Sequence, residues 1–144
     1  MGVGTPDFVA LDWNGTVVPV FGSPPYAGAV AVLQRFQALG IPLFVVSHAT
    51  QKQIADDVAR TGLEFDGVFG CSEKASILSD LRALHGFGWL LGDHPADFRA
   101  ALEVGMPFIQ ARLAGQALFG GCADSFEQWS EVPQLLLAAS GPDG

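Results

Sequence analysis

The sequence predicts an α/β domain whose parallel sheet lies buried between two layers of helices. Short apolar runs alternate with helix-period segments from one end of the chain to the other, the pattern of repeated βα units. The runs are apolar at nearly every position rather than at every second one, as strands covered on both faces require. The helix-period segments end at Gly40, Gly62, Gly86 and Gly105, and glycine is the residue that most readily takes the left-handed conformation closing a helix.

Five strands are expected, at residues 8–11, 42–46, 65–69, 88–91 and 107–109. The helical segments between them place Val32, Phe36 and Leu39, then Ile54 and Val58, then Ile77, Leu81 and Leu84, then Phe98 and Leu102, at core-facing offsets. Residues 17–25 lack periodicity and contain Pro, Gly and Ser, which predicts a flap or hairpin beside the first strand. The stretch 124–138 is expected to form one more helix, started by Asp124 or Ser125 and interrupted or restarted at Pro133. No linker or repeat divides the chain, so residues 1–144 are expected to form one domain, with an ordered core over 6–139 and frayed ends at 140–144.

A chain of 144 residues with 49% hydrophobic content can bury a sizeable core. Its formal net charge of −8, with no cluster of Lys or Arg, repels a phosphate backbone and argues against nucleic acid as a partner. The two cysteines, Cys71 and Cys122, form no CxxC pair and are expected to be small, reduced packing residues. No basic segment followed by a long apolar run is present, and Pro6 stands where a myristoylation signal has Ser or Thr. A cytoplasmic protein without membrane attachment is the expectation.

Ligands of open parallel sheets bind beyond the carboxyl ends of the strands, so the polar residues are grouped by strand end. The first strand runs into Asp12-Trp13-Asn14-Gly15-Thr16, the second into Ser47-His48-Ala49-Thr50, and the fourth into Gly92-Asp93-His94-Pro95-Ala96-Asp97. Lys74 follows the third strand at a helix start. Phosphoryl chemistry unites these residues. A carboxylate at Asp12 can attack phosphorus and split one hard step into two. Mg²⁺ takes oxygen ligands, including one or two carboxylates such as Asp12 and Asp93, while Lys74 offsets charge on the transferring oxygens. Ser47 can donate its hydroxyl to a phosphoryl oxygen, helped by backbone N–H groups at the start of the following helix.

In these residues the chain resembles the haloacid dehalogenase superfamily, whose four motifs occur here in order and cover nearly all of the sequence. Asp12 to Thr16 resembles the DxDGT motif, with Asp12 in the nucleophile position; Leu43 to Ser47 resembles the strand that closes in Ser or Thr. Lys74 matches the helix-start lysine, and Gly92, Asp93 and Asp97 match GDxxxD. The resemblance implies a three-layer, Rossmann-like α/β/α domain with strand order 3-2-1-4-5. It also implies Mg²⁺ held by Asp12, the backbone carbonyl of Asn14 and Asp93, with Asp97 supporting either the metal or Lys74. Phosphate contacts fall to Ser47, Lys74 and the adjacent His48. The intervals after Gly15 and after Ser47 are too short for a cap domain, so the site is expected to be open to a phosphorylated small molecule or macromolecule, or completed by another copy of the chain.

One departure bears on activity. The family's phosphatases carry an Asp where this chain has Asn14, and an amide cannot exchange a proton as a general acid and base does. Slow turnover, or a regulatory domain that binds phosphate and metal, are the two consequences weighed. Phosphonoacetaldehyde hydrolases resemble the chain in their DWAGT sequence but need a cap lysine, and the dehalogenases use no Mg²⁺. A two-component receiver domain also combines Asp, Ser or Thr and Lys, but its phosphoacceptor does not end the first strand. Each residue has a plainer alternative: Asn14-Gly15 as a hairpin turn, Ser47 or Thr50 as helix caps, His94-Pro95 with Asp97 as a helix start, Lys74 as a surface residue, and Trp13 as core or as lining of the mouth.

Overall fold

A computed structural model describes residues 5–138 of the chain; the expectation of fraying at 140–144 lies outside them. The strands are β1 (Phe8–Leu11), β2 (Leu43–Ser47), β3 (Gly67–Gly70), β4 (Gly88–Gly92), β5 (Phe108–Ala111) and β6 (Asp124–Phe126). The helices are α1 (Ala29–Ala38), α2 (Gln51–Thr61), α3 (Lys74–His85) and α4 (Pro95–Val104). Every strand pairs parallel to its neighbour in the order β3-β2-β1-β4-β5-β6, which extends the expected 3-2-1-4-5 by one strand.

β1 and β4 are buried at every position, as central strands of a doubly covered sheet must be. Successive side chains leave a strand on opposite faces. Val9, Leu11 and Trp13 accordingly join the core under α1, α2 and the C-terminal segment, while Phe8 and Ala10 join the core under α3 and α4. Three layers result. The flap follows β1 and is pinched at its base, where the Tyr26 N–H donates to the Val17 carbonyl at 2.8 Å.

The segment expected to be helical from residue 124 begins instead with β6. Asp124, Ser125 and Phe126 pair with Ile109, Gln110 and Ala111. The polar start reads locally as a helix cap, but the free edge of β5 offers backbone hydrogen bonds that three residues alone cannot generate. A 3₁₀ turn at Trp129–Glu131 and a π-helical turn at Gln134–Ala138 follow, on either side of Pro133. Three residues placed in the core by helical spacing are exposed: Leu39, Leu84 and Leu102. Leu84 and Leu102 lie off the faces that α3 and α4 bury, which carry Lys74, Leu78 and Leu81 and Asp97, Ala100 and Ala101, and Leu39 is the C-cap residue of α1. Among the described residues no helix is long and apolar enough to cross a membrane.

Candidate active site

Asp12 is the first residue beyond β1 and shares its face with Phe8 and Ala10, so its carboxylate points toward the layer built by α3 and α4. Those helices begin beneath it. Lys74 opens α3 and Asp97 lies in the first turn of α4. The Lys74 ammonium, 3% exposed as a residue, donates to Asp12 Oδ1 at 2.9 Å and to Asp97 Oδ1 at 2.5 Å. It is therefore a buried ion-pair centre rather than a surface lysine. Asp97 Oδ2 accepts the His94 N–H at 3.2 Å, and His94 Nδ1 accepts the Ala96 N–H at 3.0 Å. His94, Pro95 and Asp97 thus start α4 as expected while Asp97 also faces the site.

Carboxylate oxygens of Asp12, Asp93 and Asp97 lie within 4.8 Å of one another. Two glycines make this approach possible. A Cβ on Gly15, whose φ is 80°, would overlap the Asp93 carboxylate, and one on Gly92 would overlap that of Asp97. A cavity of about 270 Å³ joins the cluster to Asn14, Ser47, His48 and His94, so every site residue expected from the sequence lines one concavity. Ser47 is buried at its floor and the two histidines are exposed at its rim.

The electrostatics of the cluster follow from burial. Desolvation pushes the Asp12 carboxyl above its usual range, against the opposing pull of Lys74. Asp93 is raised chiefly by the same cause. Asp97, almost completely buried and then close to Asp12, is pushed up to about 6. Lys74 moves up as well: its burial disfavours the charge, but Asp12 and Asp97 together outweigh that. At the rim, partial burial and then Lys74 lower the His48 imidazole, which favours its neutral form.

Three carboxylates against one ammonium leave the cluster with an excess of negative charge. Asn14 Oδ1 is buried in the same place and takes no hydrogen bond within the described residues. A set of donors made of oxygen only, with unbalanced negative charge and an orphaned amide oxygen, fits a hard divalent cation.

The expected helix-start cradle is partly closed. Thr50, not Ser47, caps α2: its hydroxyl accepts the Gln53 N–H at 3.1 Å, and the Gln53 side chain accepts the Thr50 N–H at 3.1 Å. The Ala49 N–H donates to the Ser47 carbonyl, so these three amides are committed within the protein. Trp13 is core, fully buried, with its indole N–H donating to Asp57 on α2 at 2.7 Å. Cys71 is half-buried with a thiol pushed up by burial, and Cys122 is buried. Sequence reasoning missed two neighbours of the site. Tyr26 has a phenol raised by its partial burial and by the Asp93 charge, and Asp57 is described below. Neither carries a local signal, since one follows two prolines in a loop and the other sits among polar residues of an amphipathic helix.

No protein-family model and no curated protein matches the sequence. Solved structures do match in shape. A HAD-superfamily hydrolase from Ehrlichia chaffeensis is 13% identical with a TM-score of 0.77, covering 96% of this chain and 99% of its own. The cobalt-bound deoxy-D-mannose-octulosonate 8-phosphate phosphatase from Haemophilus influenzae is 16% identical with a TM-score of 0.75, covering 98% of this chain and 92% of its own. The D,D-heptose 1,7-bisphosphate phosphatase from B. bronchiseptica, complexed with magnesium and phosphate, is 16% identical with a TM-score of 0.69, covering 91% of this chain and 98% of its own. The strand order, the near-complete coverage and the shared architecture lead to one conclusion: this chain has the fold of the haloacid dehalogenase superfamily.

Proposed function

We propose that the chain is a Mg²⁺-dependent phosphohydrolase or phosphotransferase that works through an aspartyl-phosphate on Asp12. The observation that carries this reading is the buried Lys74 ammonium bonded to Asp12 and Asp97 beside a third carboxylate, Asp93, at the carboxyl ends of β1 and β4. An Asp12 oxygen forms a bond to phosphorus as the bond to the leaving oxygen breaks. Water then attacks the same phosphorus, the bond to Asp12 breaks, and inorganic phosphate leaves with the carboxylate restored. With an acceptor alcohol in place of water, the product is a new phosphate ester.

Asp12, Asp93 and the backbone carbonyl of Asn14 would hold Mg²⁺, which supplies charge neutralisation at the phosphoryl oxygens when bound. Both oxygens of Asp97 are engaged, by Lys74 and by the His94 N–H, so its role here is to aim Lys74 more than to bind metal. Lys74 faces developing negative charge, Ser47 donates its hydroxyl, and His48 offers a ring N–H at the rim. Asn14 has no proton to give the leaving group. Substrates whose leaving oxygen departs without protonation, such as aryl and acyl phosphates, are therefore favoured over alkyl esters.

A second reading, a regulatory domain that binds metal and phosphate without turnover, is favoured by Asn14 alone. Phosphate release from p-nitrophenyl phosphate with Mg²⁺ separates the two. Release that stops with Asp12→Ala supports the enzyme. Asn14→Asp is expected to raise turnover on alkyl esters by ~10²-fold or more, the scale of general acid–base assistance. Binding of beryllofluoride with Mg²⁺ but no release from any phosphate ester supports the regulatory domain.

A further inference from the structure

A second carboxylate lies on the opposite face of the β1 end, outside the cavity. Asp57, in the second turn of α2, accepts the Trp13 indole N–H on Oδ2 at 2.7 Å and the Gly22 backbone N–H on Oδ1 at 3.0 Å. Arg60, one turn along, holds it from a third side through Nε at 2.9 Å and Nη2 at 3.0 Å, and spends the same Nη2 on the Ser23 carbonyl at 2.8 Å. Trp13 is the residue next to the nucleophile, and its own carbonyl receives the N–H groups of Thr16, Val17 and Val18. Gly22 and Ser23 form the far end of the flap. A single carboxylate thus ties α2, the loop bearing Asp12 and Asn14, and the flap into one body.

From this geometry we propose that Asp57 is a positioning residue, which fixes the Asp12–Asn14 loop through the Trp13 indole and fixes the flap through the Gly22 amide. The inference rests on the phosphohydrolase reading only for its kinetic consequence. The hydrogen bonds explain why a carboxylate is needed there. Two neutral donors approach different oxygens, and an acceptor-only group meets both, whereas an amide meets one. The geometry also explains the tryptophan: no other residue reaches from that loop with a ring that fills the core and a single N–H at its edge. Displacing a nucleophile by about 1 Å can cost up to ~10²-fold in rate, so a support of this kind belongs to the site's precision although it touches no substrate.

The test compares Asp57→Ala, Asp57→Asn and Trp13→Phe in steady-state hydrolysis of p-nitrophenyl phosphate with Mg²⁺, with activity expressed per folded molecule. Asp57→Ala is expected to lower kcat at least ~10-fold with KM within about two-fold, because the cradle at Ser47 and Lys74 does not contact Asp57. Asp57→Asn, which keeps an oxygen for the indole, is expected to recover most of that loss. A kcat within two-fold of wild type in folded Asp57→Ala overturns the proposal. Should that variant not fold, Trp13→Phe cuts the same bond and is judged by the same two-fold limit. If the wild-type chain releases no phosphate, the phosphohydrolase reading fails by itself. The clamp is then read by hydrogen exchange at the Gly22 amide and the Trp13 indole, which Asp57→Asn must accelerate at the amide and Asp57→Ala at both; unchanged exchange overturns it.

Discussion

Asp12 and Trp13 are neighbours in sequence, yet each enters a different carboxylate-centred cluster, one on either face of the sheet. Asp12 meets Lys74, Asp97 and Asp93 in a pocket where desolvation dominates, and all three acidic groups are pushed toward their neutral forms. Trp13 meets Asp57, whose carboxyl is held below its usual range, foremost by the hydrogen bonds from Arg60 and then by those from Trp13 and Gly22. One cluster is short of positive charge and the other is satisfied. A satisfied carboxylate supports structure; an unsatisfied group of them has affinity to spare for a cation.

The comparison breaks most sharply at Lys74. Lys74→Met leaves Asp12 and Asp97 buried without a counter-charge, and its expected loss of stability at pH 7 is about 3–5 kcal/mol, measured by urea unfolding in EDTA. A loss under about 1 kcal/mol would mean that the pocket is wetter than its burial indicates.

The next largest contrast is in pH dependence, where the clusters have opposite signs. Between its unfolded value near 3.8 and its folded value of about 6, Asp97 holds a proton in the folded chain that the unfolded chain has released. Its contribution is therefore fully present below pH 3.8 and lost as pH rises through 6, on the order of 3 kcal/mol in metal-free protein. Asp57 has a depressed value, so its contribution is present above pH 3.8 and lost as pH falls through its folded pKa. Urea unfolding from pH 3 to 7, wild type against Asp97→Asn and Asp57→Asn, reads the two slopes. Equal signs would contradict the contrast.

Arg60→Ala has the smallest expected effect. Its side chain is 37% exposed and Asp57 keeps its other two donors, so the loss should be as small as for other solvent-exposed pairs. Thermal unfolding checks this, and a larger loss would show that the arginine, not the backbone and indole, holds the flap.

The site of the Lys74 cluster was legible because its members are local signals. A carboxylate ending an apolar run, a lysine at a helix start and an acid in a first helical turn each stand out against their surroundings, and parallel topology brings strand ends together. The Asp57 cluster was not legible. Helical spacing puts Asp57 at the border of the Ile54–Val58 face and Asp56 opposite it, where it pairs with Lys52, but only the position of the Trp13 ring gives the border carboxylate a partner. β6 stayed hidden for a related reason, since Asp124 and Ser125 look like a helix cap until the edge of β5 is in place. Leu39, Leu84 and Leu102 show the opposite error: apolar residues at helical offsets outline a stripe, but the packed layers decide which neighbouring face is buried.

By itself the sequence determined the alternation of strands and helices, the parallel sheet and the edge at which its polar residues gather, because periodicity and strand-end chemistry are written within a few residues. The tertiary structure alone decided that the Trp13 indole meets a carboxylate on α2, that residues 124–126 add a sixth strand, and how far each carboxylate's proton affinity is displaced. Those outcomes depend on distances between groups far apart in the chain and on how much water is excluded around them, and neither quantity exists until the layers have packed.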